Sequence, residues 1–232
     1  MKFAASNKII AIHQPNYFPW LGYFSKIQKA DAFVFLDNVD ITLHSSKAIT
    51  HRTKINYLAK PMWLTLPLEK AETKQIGQLK INSVLSWQEK QIQIIKQAYS
   101  KAPYFNELFP TIKKLIYYNE NNLSKFNINI IKEIAKLLQI KTTFYTASEL
   151  GVIENDPTLR LIKICKKLDG IVYLSGMGGK KYHHESLFTQ NNIEVKYSDF
   201  RVQEYKHHSV FVPGLSVLDA LFECGYNTSN LL

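Results

Sequence analysis

The chain predicts an α/β fold of three layers, built on a mostly parallel sheet and interrupted by a helical middle segment. Three observations carry that reading. Short apolar runs at residues 9–12, 32–36 and 171–174 alternate with segments of helical period towards both ends of the chain. The first two runs frame a loop and a helix, and a strand, loop, helix, strand unit favours parallel pairing with a right-handed crossover. Residues 84–140, by contrast, place their apolar side chains at helical spacing. Residues 1–232 therefore read as a single domain with a helical insert at about 84–140.

The elements follow in order. Residues 9–12 are a buried strand, two prolines keep the next few residues irregular, and residues 21–29 resume a helical period. Ala32 to Leu36 suits a second buried strand. Trp63-Leu64-Thr65-Leu66-Pro67-Leu68 alternates in polarity and is expected to be a strand ending at Pro67, with residues 80–82 as another short one. Ser86 and Glu89 have the spacing of a capping box, so a helix is expected from there to about Tyr99. A second helix spans residues 105–118 with Pro110 near its first turn. Leu123, Phe126, Ile130, Ile134, Leu137 and Leu138 form the stripe of a third, read as core. Residues 142–146 suit a strand, a turn lies around Asn155-Asp156-Pro157, and a helix carries Leu159, Ile162, Cys165 and Leu168. Residues 171–174 and 193–197 are strands, and residues 216–224 form a closing helix stopped by Gly225.

At 46% apolar and 12% aromatic residues the composition is neither disordered nor fibrous. Cys165 and Cys224 lie far apart without metal-ligand spacing, which fits a reduced compartment. The first eight residues lack the apolar run of a secretory signal, and no apolar stretch reaches membrane-spanning length. A cytoplasmic location without membrane insertion is expected. The net charge of +10 invites a nucleic-acid reading, but 26 of the 29 basic residues are lysines, the arginines being Arg52, Arg160 and Arg201. Abundant lysine, asparagine, isoleucine and tyrosine match AT-rich coding sequence, no DNA- or RNA-binding signature is present, and no DNA partner is expected. Anionic small molecules remain compatible with the surplus.

The most informative stretch is His13-Gln14-Pro15-Asn16-Tyr17-Phe18-Pro19-Trp20-Leu21-Gly22-Tyr23-Phe24. It sets a histidine, two amides and five aromatics between an expected strand and helix, where open α/β sheets place ligands. With Ala30-Asp31-Ala32-Phe33-Val34-Phe35-Leu36-Asp37-Asn38-Val39, it resembles the opening of the WbqC-like proteins. Tyr173-Leu174-Ser175-Gly176 with Gly179 and Tyr182, and Leu215-Ser216-Val217-Leu218-Asp219-Ala220-Leu221-Phe222 before Gly225, extend the resemblance nearly end to end. Asp40 and Thr53 stand where that family usually has a glutamine and an asparagine. The resemblance implies a role in bacterial surface-polysaccharide and O-antigen synthesis, modifying an amino sugar with an amino-acid or other acyl group.

Four places are candidates for chemistry. In the first, a His13 imidazole near neutral pKa can act as general base or hydrogen-bond a phosphate, while Gln14 and Asn16 can hold a carbonyl or ribose. The alternative is that these polar groups only tie down the loop. Tyr17 and Trp20 join the expected substrate-binding set, and Tyr23 joins His13 and Asp37 in the catalytic set. In the second, Ser175, Gly176, Gly179, Lys180, Lys181 and Tyr182 follow a buried strand and suit a phosphate cradle, or a tight turn with two solvated lysines. In the third, Asp37 can orient His13 or a substrate amine. There Arg52 can grip phosphate or carboxylate, or pair internally with Asp37 or Asp40. The fourth comprises the His183-His184 and His207-His208 pairs. Adjacent residues do not face each other on a helix and alternate across a strand, so these pairs are read as exposed polar positions and no metal site is expected, while His44 and His51 stay unplaced.

The partner these features imply is a nucleotide sugar or another phosphorylated small molecule. The acyl donor and any cofactor stay unassigned. Two other functional classes remain open: a nucleotide-activating ligase, by faint likeness to nucleotidyltransferase folds, and a non-catalytic binding protein of the same pathway.

Overall fold

The computed structural model describes residues 7–43, 48–181 and 184–232, so His44, Tyr182 and His183 lie outside the described residues. In chain order the elements are β1 (Ile9–His13), α1 (Leu21–Gln28), β2 (Ala32–Phe35), β3 (Arg52–Tyr57), β4 (Lys60–Thr65), α2 (Trp87–Tyr99), α3 (Phe105–Ile116), α4 (Leu123–Leu137), β5 (Thr143–Thr146), α5 (Pro157–Lys167), β6 (Val172–Ser175), α6 (Glu185–Gln190), β7 (Glu194–Tyr197) and α7 (Val217–Cys224). Short 3-10 helices cover Ile76–Gln78, Met177–Lys181 and Gly225–Leu231. The described residues fall into two compact units. Unit 1 comprises Met1–Gln14, Ser25–Asp37 and Lys141–Phe200, and unit 2 comprises Pro15–Phe24, Asn38–Ile140 and Arg201–Leu232.

Unit 1 is the α/β part. Its sheet has the order β5-β2-β1-β6-β7, and every neighbouring pair is parallel. β2 and β6 are buried at every position, as expected of strands covered on both faces. One face carries Ile10, Ile12, Val34 and Tyr173 against Ile162 and Cys165 of α5 and Phe188 of α6. On β2 and β5, Phe33, Phe35 and Phe144 form an aromatic cluster in which Phe35 and Phe144 stack at 5.5 Å. Asp156 caps α5 by accepting the Leu159 amide at 2.8 Å, with Pro157 opening the helix.

Unit 2 holds the helical segment and a β3–β4 hairpin. Asn122 caps α4 through the Lys125 amide, and the stripe from Leu123 to Ile134 is buried, as its spacing predicts. α7 is capped by Ser216 and ends at Gly225, whose φ is +60°.

Several local expectations are corrected. The capping box does not form: Ser86 has ψ 54° rather than extended geometry, its side chain makes no cap bond, and Glu89 instead accepts from Tyr117 at 3.4 Å. β3 has no counterpart among the sequence expectations, because its alternation is masked by Arg52 and Lys54 and its turn by Leu58 and Ala59. Both turn residues adopt positive φ, +51° and +62°, without the glycine or asparagine that normally marks such a turn. That pairing starts the following strand at Lys60 and ends it at Thr65, not Pro67. Residues 80–82 make only the isolated bridges Leu68 to Ile81 and Lys80 to Asn122, and six-residue α6 was not foreseen.

Gly225 generates a test. A β-carbon there would lie 2.5 Å from the Tyr104 ring, on a backbone conformation that side chains rarely adopt. Gly225→Ala is expected to cost roughly 1–3 kcal/mol, a melting temperature lower by about 3–10 °C. An unchanged melting curve would contradict it.

Candidate functional site

In unit 1 the strand order reverses between β1 and β6: the chain steps from β1 outward through β2 to β5, then returns to place β6 on the other side of β1. Such a switch point opens a crevice at the carboxyl ends of the two strands, where ligands of open α/β sheets bind. His13 ends β1 and Ser175 ends β6, so the first two sequence-selected regions flank this point. Ser175 is buried and its hydroxyl donates to the Gly176 carbonyl at 3.1 Å. Residues 177–181 then wind into a 3-10 turn closed by Gly179 N–H on the Gly176 carbonyl. Gly176 and Gly178 have no positive φ, and a β-carbon on either would meet nothing within 4 Å. Sterics do not require glycine there; its effect is to leave open space over the sheet edge. Lys180 and Lys181 are exposed, with the Lys180 ammonium 5.7 Å from the Tyr197 ring.

His13 differs from the expected near-neutral imidazole. The ring keeps some solvent contact, yet dense surroundings, with the Lys26 charge second, push its pKa down to about 3. Its Nδ1 lies 3.2 Å from the Gln14 carbonyl, which can only accept, so Nδ1 carries the hydrogen. Gln14 itself is half-buried at the end of the same strand. Asp37 is buried, and both its oxygens accept from Ser148, from the amide at 3.0 Å and the hydroxyl at 2.5 Å. The carboxylate thus anchors the turn after β5.

Lys26 is the residue that sequence reasoning missed. It is 4% exposed on α1 and donates to the Ile12 carbonyl at 2.8 Å. Desolvation lowers its pKa to about 7, leaving a large neutral-amine fraction at neutral pH. The signal was a lone charge beside Tyr23, Phe24 and Ile27, on a stretch otherwise suited to burial.

Asn16, Tyr17, Trp20, Tyr23 and Arg52 belong to unit 2. The proline-aromatic loop is bolted down there by side chains. Asn127 donates to the carbonyls of Pro15 and Thr50 at 2.9 and 2.7 Å. The hydroxyls of Thr53 and Ser216 both donate to the Phe18 carbonyl, at 2.9 and 2.8 Å, holding Phe18 at φ +36°. Thr53, which departs from the family pattern, therefore shapes this loop. Tyr17 is fully buried with its hydroxyl on Gln91 at 2.6 Å, and Tyr23 is buried with its hydroxyl bonded to the Asn16 backbone. Burial raises both phenols above their ordinary range, so they pack as core and do not titrate.

Beside this loop lies a cavity of about 140 Å³ lined by Asn16, Trp20, Arg52, Lys54, Trp63 and Ser216 among others. Arg52 donates to the Ala48 carbonyl at 2.7 Å, and its guanidinium lies 4.2 Å from the Trp63 ring centroid, with Lys54 at 4.8 Å. The Asn16 side chain accepts from Thr50 at 3.3 Å, but its Nδ2, fully buried, has no hydrogen-bond partner among the described residues. The cavity carries two cations, Arg52 and Lys54, and its volume suits a phosphate or carboxylate. A larger cavity of about 770 Å³ along α2, near Pro67, Leu85 and Trp87, has no such orphaned donor in its lining.

The remaining histidines divide. His184 is exposed, as expected. The side chain of His207 is 2% exposed, contrary to expectation, and its ring stacks on His208 at 4.8 Å. Both residues lie outside helix and strand, and the stacking of their rings puts the two side chains on one side. Cys165 and Cys224 are free, with burial pushing their thiols up to about 12 and about 11.

A model of the WbqC-like protein family matches residues 14–231, and the chain belongs to that family. It is also 28% identical to the uncharacterized protein Rv1507c of Mycobacterium tuberculosis, over 97% of each chain. No solved structure shows a significant match.

The Lys26 environment makes stability depend on pH. Folding lowers its pKa from 10.5 to about 7, so between these values the unfolded chain binds more protons and native stability rises with pH. Below pH 7 the full cost of burying the charge is present, on the order of 4 kcal/mol. Lys26→Met is expected to stabilise the protein most at pH 6–7 in urea unfolding, with the gain shrinking towards pH 10. A pH-independent difference would refute this assignment.

Proposed function

We propose that this member of the WbqC-like family modifies an amino sugar carried on a nucleotide during surface-polysaccharide synthesis, transferring an acyl or aminoacyl group to its amine. The observation that carries the reading is the unit 2 cavity lined by Arg52 and Lys54, since its two cations suit a phosphate or carboxylate group of a reactant. The glycine-lysine turn at the β1–β6 switch point supports it as a second anion-compatible position, within unit 1.

In this reading the sugar amine forms a bond to the acyl carbon, the donor's leaving group departs, and the amine proton passes to that leaving group or to water. His13, held near 3, serves as a neutral hydrogen-bonding group. Lys180 and Lys181 supply charge to the phosphates through open space left by Gly176 and Gly178.

The first test is thermal stabilisation of the whole chain by a nucleotide-linked amino sugar, ATP and coenzyme A. At a ligand concentration 100-fold above Kd, the nucleotide sugar is expected to raise the melting temperature by roughly 5–10 °C. The Lys180→Ala, Lys181→Ala pair should reduce that shift, and Arg52→Ala tests the unit 2 cavity on its own. A shift with ATP alone would replace the reading with a nucleotide-activating ligase, and no shift with any of the three would remove it.

Gly176→Ala provides a separate measurement. Folding stability should change by less than about 1 kcal/mol, because the β-carbon clashes with nothing, while nucleotide-sugar affinity should fall at least tenfold. Unaltered affinity would show that no ligand approaches this backbone.

A further inference from the structure

We propose that His207, His208 and Glu223 of unit 2 form a binding site for a divalent metal ion of the zinc type, with Asp219 positioning His207. One donor atom from each of the three ligands lies within 4.8 Å of the other two. His207 Nε2 is 3.4 Å from Glu223 Oε1 and 3.3 Å from Asp219 Oδ1, while His208 Nδ1 contacts Glu223 Oε1 directly. Two ligands bound at ~2.05 Å to a tetrahedral ion are separated by about 3.3 Å, whereas a direct N–H···O bond usually spans about 2.9 Å. The His207–Glu223 separation is compatible with two atoms sharing an ion, whereas His208 Nδ1 and Glu223 Oε1 stand closer and must move apart for both to bind one.

Charge gives a second, independent reason. Asp219 and Glu223 stand four residues apart on α7, their side chains 0% and 1% exposed. Among the described residues their ion pairs run only to the two histidines. Buried carboxylates require countercharge, and a dication held by the imidazoles and Glu223 provides it. Two imidazoles and a carboxylate suit zinc and its neighbours, and a three-ligand set leaves a coordination position open. The partly exposed His208, at 17%, gives the site access to solvent.

The surroundings hold this arrangement. Asp219 accepts from Tyr99 at 2.8 Å through Oδ1 and from Tyr205 at 2.6 Å through Oδ2, fixing the carboxylate that faces His207. Asn56 Nδ2 lies 3.4 Å from His207 Nε2 and donates to the Val210 carbonyl at 2.7 Å. The His208 amide donates to Glu223 Oε2 at 3.1 Å. In the metal-free form His207 Nδ1 accepts from the Ser209 amide at 3.0 Å, so its hydrogen sits on Nε2, facing the carboxylates. Loading an ion through Nε2 requires that hydrogen to move to Nδ1, with loss of the Ser209 bond. The site lies within unit 2 and does not rest on the sugar-modifying reading.

The test uses the full chain without a histidine tag, stripped with chelator and titrated with Co²⁺ and then Zn²⁺. One Co²⁺ per chain is expected, with intense visible absorption of a four- or five-coordinate ion that Zn²⁺ abolishes. Glu223→Gln and His208→Gln should each weaken binding at least 100-fold, Asp219→Asn by about 10–100-fold, and the exposed His184→Gln not at all. Should the site variants fail to fold, the native chain decides alone, through the cobalt spectrum and a rise in melting temperature with Zn²⁺. No binding of either ion by the native chain at 100-micromolar concentrations, or binding that survives both ligand substitutions in folded protein, would overturn the proposal.

Discussion

Irregular backbone rich in proline cannot satisfy its own carbonyls, and in unit 2 that constraint decides how distant parts of the chain must meet. Pro15 and Phe18 expose carbonyls to a protein interior, where an unmade hydrogen bond is costly. Asn127 from α4, Thr53 from β3 and Ser216 at the start of α7 supply the donors. Three elements separated widely in sequence are therefore fixed around one loop. The loop and the closing segment, the two longest conspicuous motifs of the chain, are also linked directly, since the Val217 amide bonds to the Pro19 carbonyl at 2.9 Å. Their joint presence is a structural requirement before it is a chemical one.

The same constraint explains why most of the loop's aromatic side chains are core. Tyr17, Phe18 and Tyr23 pay for the loop's order with buried aromatic area, so the side chains that look most chemical in sequence are core. Asn16 is different. Its carbonyl oxygen accepts from Thr50 while its buried amide nitrogen has no partner among the described residues, a division that the residue type does not reveal. Arg52 was conspicuous because arginine is scarce here, but its stacking on Trp63 depends on register in a hairpin that carries no turn signature.

The parallel sheet was legible because its strands are short, apolar and spaced by helices, and burial on both faces writes that pattern directly into composition. The long α4 was legible through its stripe, and α5 through Asp156 and Pro157. The hairpin was not, since Leu58 and Ala59 adopt positive φ under tertiary constraint and their identity says nothing of it. The candidate residues divide on the same line. His13 and Ser175 could be found because strand ends are local features. Lys26 and the contacts of His207 could not, because each depends on what surrounds the side chain after folding.

Charge shows the difference most clearly. The net charge of +10 suggested anions in general, yet most lysines face solvent and are screened there. The informative charges are those with restricted surroundings: Lys26, which gives up proton affinity because α1 offers it no route to water, and Asp219 with Glu223, whose only ionic partners among the described residues are imidazoles. Removing such groups from water costs several kcal/mol each, far more than a solvated surface ion pair returns. Each is instead held by specific partners: Lys26 by the Ile12 carbonyl, Asp219 by Tyr99 and Tyr205, and Glu223 by the His208 amide and ring, so the cost of burial is offset by hydrogen bonds that fix these side chains in place.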